Sequence, residues 1–318
     1  MGTYNGAGYL EPQVQSIREQ SLHAWKLLVR DDGSKDATVA AVSDIAAVDG
    51  RVRLVSDPDG NLGVVRNFER LMAIARDDGA DAVFFADQDD VWLPRKLELQ
   101  LELLHRMEGR MGSDRPILVH TDLKVVDRDL QCLCKSFMAY QGIANEQRNP
   151  LSTLLVQNFV TGCATVINRS LLELALPIPD GVLMHDWWLA LCAAAFGQIG
   201  FIEEPTVLYR QHGKNEVGAK SLWGMLNPLK TNLLDRWKIG DRHFRGTIRQ
   251  AAHLSGRMDN GRFKPHAGAK SLSDGYANCL SMARNRRLNW IHLNGLRRQG
   301  IIRQVLFLVR LLATARAN

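Results

Sequence analysis

An α/β fold built on a mostly parallel, doubly wound sheet is predicted for this chain, and three observations predict it. Short apolar runs of strand length alternate with longer segments whose apolar residues recur at helical spacing. Two of those runs stop abruptly at acidic turns, Asp31-Asp32-Gly33-Ser34 and Asp87-Gln88-Asp89-Asp90. Polar clusters at strand ends suit a parallel sheet, whose ligands bind beyond the C-terminal edge. The 318 residues, 46% apolar and 23% charged, suffice for one large α/β domain plus an appendage or for two domains.

The elements follow in order. Met1-Gly2-Thr3-Tyr4-Asn5-Gly6 has a loop composition and leads straight into a helical pattern carrying Leu10, Val14 and Ile17, with no strand before it. Trp25 to Arg30 reads as a strand, and Ser34 or Asp36 caps a following helix rich in Ala and Val. Val52 to Val55 is a third short run, after which Asn61-Leu62-Gly63 opens a helix with Arg66, Phe68, Leu71, Met72 and Ala75. Ala82-Val83-Phe84-Phe85-Ala86 is continuously apolar, the signature of a strand buried on both faces. Leu93, Leu97, Leu101, Leu104 and Met107 form a core-facing helical stripe, and Ile117 to Asp122 is another strand. The polar segment from Cys134 to Pro150 reads as a long, partly mobile surface excursion. Asn158 to Ile167 is a turn entering a strand, with Gly162 permitting close approach. His185-Asp186-Trp187-Trp188 starts a helix that runs to Phe196, and short extended pieces at 199–202 and 207–209 end in Arg210-Gln211-His212-Gly213-Lys214-Asn215.

The net charge of +6 averages two unlike regions. Up to Asn215 there are 21 Lys and Arg against 29 Asp and Glu; from Glu216 onward there are 19 against 5. That break divides an α/β domain, residues 1–215, from a basic helical region, residues 216–318. The basic region carries Leu226, Leu229, Leu233, Leu234 and Trp237 early and Arg284, Arg286, Arg287, Arg297 and Arg298 late. In its last helix Arg303, Arg310 and Thr314 share a narrow stripe, with Ile302, Val305, Leu306, Val309 and Leu312 around the rest. Such a helix either lies in a membrane interface or packs on the catalytic domain. Without a reading motif, nucleic acid is not an expected partner. Val305 to Ala315 is too short to span a bilayer. Five scattered cysteines without zinc spacing read as reduced thiols of a cytoplasmic protein.

The chemistry concentrates in Asp87-Gln88-Asp89-Asp90-Val91-Trp92. Carboxylates packed this closely repel one another unless a cation sits among them. Mg2+ or Mn2+, held by one or two carboxylates and phosphate oxygens, is the usual solution, so a diphosphate substrate is expected. The competing reading is an acidic turn that caps a helix starting near Leu93-Pro94.

Thr3-Tyr4-Asn5-Gly6, Asp31-Asp32-Gly33-Ser34, Asn61-x-Gly63, Asp87 to Trp92, His185-Asp186-Trp187-Trp188 and Tyr209-Arg210-Gln211-His212-Gly213 occur in the order seen in family 2 glycosyltransferases, which the chain resembles over roughly its first two-thirds. The Trp after the acidic cluster resembles the rhamnosyltransferase-like branch. The resemblance implies a GT-A fold, a nucleotide diphosphate sugar donor with dTDP-rhamnose favoured, and inverting transfer to a saccharide or lipid-linked acceptor. It implies donor contacts at Thr3, Tyr4, Asp32, Arg66 and Asp87, a metal shell of Asp89, Asp90 and His212, and Asp186 as catalytic base. In that family a buried strand precedes the Thr-Tyr-Asn turn. Here the first strand is missing, so Met1 is expected to be an internal methionine of a longer protein. Two other functions compete: a phosphatase of the haloacid dehalogenase type using Asp87 as nucleophile, and an inactive nucleotide-sugar-binding or membrane-scaffold protein.

Overall fold

A computed structural model describes residues 1–212, 233–259 and 261–314. The expected border at Asn215/Glu216, Gly213 to Asn215, and Leu226 and Leu229 lie outside the described residues, as do the side chains of Leu233 and Leu234.

Three small sheets carry the α/β region. The first is all parallel, in the order β1 (Gly2–Thr3), β2 (Leu27–Asp31), β3 (Val52–Leu54). Helices α1 (Ala7–Arg18), α2 (Thr38–Val48) and α3 (Val64–Asp77) alternate with these strands. The predicted apolar positions of α1 and α3 are buried: Leu10, Val14 and Ile17 on one, Phe68, Leu71, Met72 and Ala75 on the other. Contrary to the expectation that no strand precedes the Thr3-Tyr4 turn, Gly2 and Thr3 pair with Arg30 and Asp31. Two residues are too few to show an apolar strand pattern in sequence.

The second sheet has the order β10 (Gln198–Ile202), β6 (Ile117–Thr121), β9 (Thr165–Asn168), β4 (Ala82–Phe84). Only β10 and β6 run parallel; β9 is antiparallel to both its neighbours, so the sheet is mixed. The run Ala82-Val83-Phe84 is therefore not a strand buried on both faces. It is an edge strand with all three residues half-buried, and only the following Phe85 and Ala86 are fully covered. The third sheet, β5 (Val91–Trp92), β11 (Val207–Arg210), β7 (Lys124–Val126), β8 (Cys132–Cys134), receives the chain just after the acidic turn. Helix α4 (Lys96–Met111) buries Leu97, Leu104 and Met107 of the predicted stripe.

Helix α8 (His185–Phe196) ties the molecule together. Its segment Leu-Ala-Leu-Cys-Ala-Ala-Ala-Phe is apolar on every side, so the helix can only be stable in the interior, and all twelve of its residues are buried. The indole N–H groups of its two tryptophans donate to carbonyls of flanking helices. Trp187 Nε1 reaches Leu154 O at 2.6 Å at the end of α6 (Pro150–Leu154), and Trp188 Nε1 reaches Ala175 O at 2.9 Å at the end of α7 (Arg169–Ala175).

The basic region folds as α9 (Leu233–Met258), α10 (Ala269–Ala277), α11 (Arg284–Leu293) and α12 (Ile301–Ala313). Phe244, Ala251 and Leu254 of α9 and Phe307 and Leu311 of α12 belong to the same apolar core as α8. The excursion at 134–150 is held rather than loose. It contains α5 (Phe137–Gln141), and the Gln299 amide pairs with both main-chain groups of Ala144 at 2.8 and 2.7 Å while Arg303 donates to Gln141 O and Gly142 O. The side chains that hold it lie about 160 residues away, where a local reading of the sequence does not find them. Among the described residues no helix is long and apolar enough to cross a membrane.

Gly197 ends α8 where the chain turns into β10, and a Cβ there would stand 1.7 Å from Pro116 O, a main-chain atom of the neighbouring turn. Gly197→Ala should therefore destabilise the protein by about 1–3 kcal/mol, the usual cost of overpacking. Urea unfolding of parent and variant measures this, and an unchanged midpoint would contradict the close approach.

Candidate active site

The acidic turn is built by two antiparallel pairings. In the first, Phe84 of β4 lies opposite Val166 of β9, and Phe85 N still donates to Thr165 O at 3.3 Å. Cys163 lies in the 3-10 turn Gly162–Ala164 just before β9, and ligand atoms of Asp87, Asp90 and Cys163 lie within 4.8 Å of one another. In the second, Val91 of β5 pairs with Leu208 of β11, which brings Arg210 beside Asp89 and Asp90. Arg210 N donates to Asp90 Oδ1 at 3.2 Å and its Nε to Asp89 O at 2.9 Å. His212 Nε2 meets Asp89 Oδ2 at 2.8 Å, and its ring stacks on Tyr9 at 4.6 Å.

This arrangement gives the three carboxylates different surroundings. Asp90 is fully buried, and the oxygen not bonded to Arg210 has no hydrogen-bond partner among the described residues. Burial and the charges of Asp89 and Asp87 hold its pKa far above the usual carboxylate range. Asp87 is raised to about 7, first by burial and then by the charges of Asp89 and Asp186. Behind them Lys96, wholly buried against the Trp92 ring at 4.9 Å and bonded to Gln100 Oε1 at 2.6 Å, is lowered to about 7 by desolvation.

Asp186 enters from the other side, in the first turn of α8, where a carboxylate is electrostatically favoured. The preceding residue, His185, packs its ring on Phe68 at 4.0 Å and on Phe85 at 5.5 Å, which sets the start of α8 against the strand end that leads into Asp87. Gly162 makes the approach possible: its N–H donates to Asp186 Oδ2 at 3.0 Å, and a Cβ there would stand 3.1 Å from His185 Nε2. Asp186 Oδ1 accepts from Trp187 N at 2.6 Å and Asn158 Nδ2 at 3.3 Å. Burial raises Asp186 to about 6, against the opposing pull of the Trp187 and Gly162 N–H bonds. His185, whose two ring nitrogens have no hydrogen-bond partner among the described residues, is lowered to about 3 by burial and stays neutral.

The remaining predicted residues divide. Tyr4 presents an exposed ring, and its main chain is clamped by Gln88, whose amide bonds Tyr4 N at 2.9 Å and Tyr4 O at 3.0 Å. Thr3 is buried and donates its hydroxyl to Asp31 Oδ1 at 2.9 Å. Asp32 accepts from Leu62 N, Gly63 N and Arg30 Nη1 at 2.7, 2.9 and 3.0 Å, so it shapes the Asn61-x-Gly63 turn. Arg66 donates to Glu69, Ile178 O and Asp180, which pins α3 to the loop before α8. Gln88, Cys163 and Arg210 were not singled out in sequence. Gln88 sits inside the motif but carries no charge. The other two reach the site only through strand pairings, which local pattern does not reveal.

A carboxylic acid whose folded pKa lies above its unfolded value of about 3.9 binds its proton more tightly when folded, so ionising it as pH rises costs stability. With Asp87 at about 7, Asp87→Asn removes that cost. In EDTA the variant's stability advantage over the parent should grow from pH 6 to pH 8, and Mn2+ should then stabilise the parent more than the variant. Paired urea titrations decide this, and a pH-independent difference would rule out the raised pKa.

Over 234 residues the chain is 26% identical to the dTDP-rhamnosyl transferase RfbG of Shigella flexneri, covering 69% of this chain and 74% of that one. It is 34% identical over 204 residues to TuaG of Bacillus subtilis, a glycosyltransferase provisionally assigned to teichuronic acid biosynthesis, covering 63% and 73%. Its fold resembles the mannosyltransferase PcManGT of Pyrobaculum calidifontis, solved with GDP-Man and Mn2+, at a TM-score of 0.50 and 19% identity over 92% of this chain and 72% of that one. The fold is of the GT-A type. Residues 1–173, more than half of the chain, match the family described as Glycosyl transferase family 2, and the protein is a glycosyltransferase belonging to that family.

Proposed function

We propose that this glycosyltransferase transfers a sugar, with rhamnose favoured, from a dTDP-linked donor to a hydroxyl of a saccharide or lipid-linked acceptor, with inversion, during cell-surface polysaccharide synthesis. We place this work at the cytoplasmic face of a membrane. The observation that carries the reading is the apposition of Asp186 to the acidic turn, close enough for the Asp186 charge to raise the pKa of Asp87. Direct displacement needs a base on one side of the reacting carbon and a clamp for the departing diphosphate on the other.

In this reading Asp186 takes the proton of the attacking hydroxyl. Burial lifts it to about 6, near enough to neutrality for it to be ionised yet basic, and three hydrogen bonds fix its orientation. Tyr4 supplies an exposed ring for the base of the donor, and Thr3 and Asp32 hold the two turns that flank it. Asp87 is the donor-side carboxylate nearest the ribose.

The donor set suits a hard divalent cation. Asp90 carries a buried oxygen with no hydrogen-bond partner among the described residues, and the charge of Asp89 helps raise the pKa of both Asp87 and Asp90, so the cluster holds more negative charge than its own surroundings satisfy. Asp89, Asp90 and His212 would hold Mg2+ or Mn2+, with Asp87 close by. Such an ion, when bound, supplies charge neutralisation to the leaving diphosphate. The dTDP-rhamnose preference is supported by the name of RfbG, and the five unpaired cysteines are in keeping with a reducing compartment.

Asp186→Asn should lower transfer by about 10²–10⁴-fold while leaving donor affinity, read by calorimetry, near that of the parent. Because the base must be ionised, parent activity should rise with pH through about 6. Retention of most activity in the variant would remove Asp186 from the mechanism. Among nucleotide diphosphate sugars tested with Mn2+, dTDP-rhamnose should raise Tm most. A larger shift with a UDP- or GDP-sugar would overturn the donor assignment and leave the base intact.

A further inference from the structure

We propose that α12 lies in the plane of an anionic bilayer surface, inserting one aliphatic face among the lipids while arginines on its flanks meet their phosphates. The inference rests on the membrane-surface reading above and gives it a face and a lipid class.

The exposed face is unusual in content. Ile301, Ile302, Val305, Leu306, Val309 and Leu312 are 37–84% exposed, and all lie on this one helix. At about 100° per residue they fill a continuous arc of roughly 140°. No charged side chain interrupts it. Phe307 and Leu311 occupy the opposite side and are buried in the core, so the helix is anchored by one face and presents the other to solvent.

One border of the arc carries arginines, and the other adjoins a basic cavity. On one side are Arg303, which donates to the main chain of the 134–150 excursion, and Arg310, stacked 5.4 Å from the Trp237 ring. On the other side Gln304 and Leu308 form the rim of a cavity of about 670 Å³ that also receives His292, Arg297 and Arg298. Residues 284–314 contain seven arginines and no aspartate or glutamate. Arg303 and Arg310 lie near enough to Arg298 for their charges to oppose its own, and the Arg298 Nε, shut from solvent, has no hydrogen-bond partner among the described residues. The carboxylate nearest Arg297 is Glu146, 3.9 Å away across the cavity.

This charge pattern selects the occupant. A second copy docked by a two-fold axis through α12 would set arginines of one sign against each other at the rim of the contact. An anionic bilayer meets the same arginines with phosphates and takes the aliphatic side chains below its headgroups. The helix is thirteen residues long, about 20 Å, which suits lying in the interface rather than crossing it.

The test uses the 318-residue chain and sedimentation with phosphatidylcholine vesicles, with and without phosphatidylglycerol. The parent should bind the anionic vesicles, less so in high salt, and bind neutral ones weakly. Val305→Glu with Val309→Glu should lower partitioning at least about tenfold, and Ile302→Glu should lower it as well. Because these positions are exposed, the variants should keep the parent's circular dichroism, Tm and turnover of dTDP-rhamnose. Parent binding that the substitutions leave unchanged would overturn the assignment of this face while the membrane reading stands. Absence of parent binding would overturn both. A parent dimer in analytical ultracentrifugation that the substitutions split, with no vesicle binding, would give the face to a second copy and overturn the proposal.

Discussion

Carboxylates of one short turn cannot share a buried space unless something holds them against their mutual repulsion, and the fold around this site is arranged to do so. Strand β11 is the main device. Its antiparallel pairing with β5 carries Arg210 and His212 to Asp89 and Asp90 across about 120 residues of sequence. The Arg210 main chain and guanidinium fix the turn's conformation, while Cys163 closes its inner side with a thiol that is neutral beside two acids. What is left over is a crowded set of carboxylates with one buried oxygen of Asp90 lacking a hydrogen-bond partner among the described residues.

The second constraint is the interior position of α8. A helix apolar on all sides has no solvent face, so its N-terminus is delivered wherever the surrounding packing puts it. Here the rings of Phe68 and Phe85 set it against the strand end that precedes the acidic turn. Asp186 is thereby both desolvated and oriented, and the first of these raises its pKa while the second limits the rise. Burial and hydrogen bonding act in opposite senses on one oxygen pair, and their balance leaves the group near 6.

Outside the site, Arg30 shows how much of the donor-side loop rests on one buried cation. Its guanidinium bonds Asp57, Asp32, Asn67 Oδ1 and two carbonyls at Asp59 and Gly60, so the turn that flanks Tyr4 is organised from below. Asp32 is held by the same network. In sequence an aspartate in a turn looks available, but here its oxygens are already committed to the Leu62 and Gly63 N–H groups.

The order of strands and helices, the helical stripes of α1, α3 and α4, the acidic turn and the start of α8 at His185-Asp186 were legible in the chain, because each is a local pattern with a period or a composition of its own. Three features were not. The edge position of β4, the grip on the 134–150 excursion and the partners of Arg66 depend on segments that lie far away in sequence. By itself the sequence determined which residues carry charge and which elements present them. Only the tertiary structure decided that Cys163 and Arg210 would complete the acidic cluster and that α12 would bury Phe307 while exposing Ile302, since strand register and packing are set by long-range contacts that no local window contains.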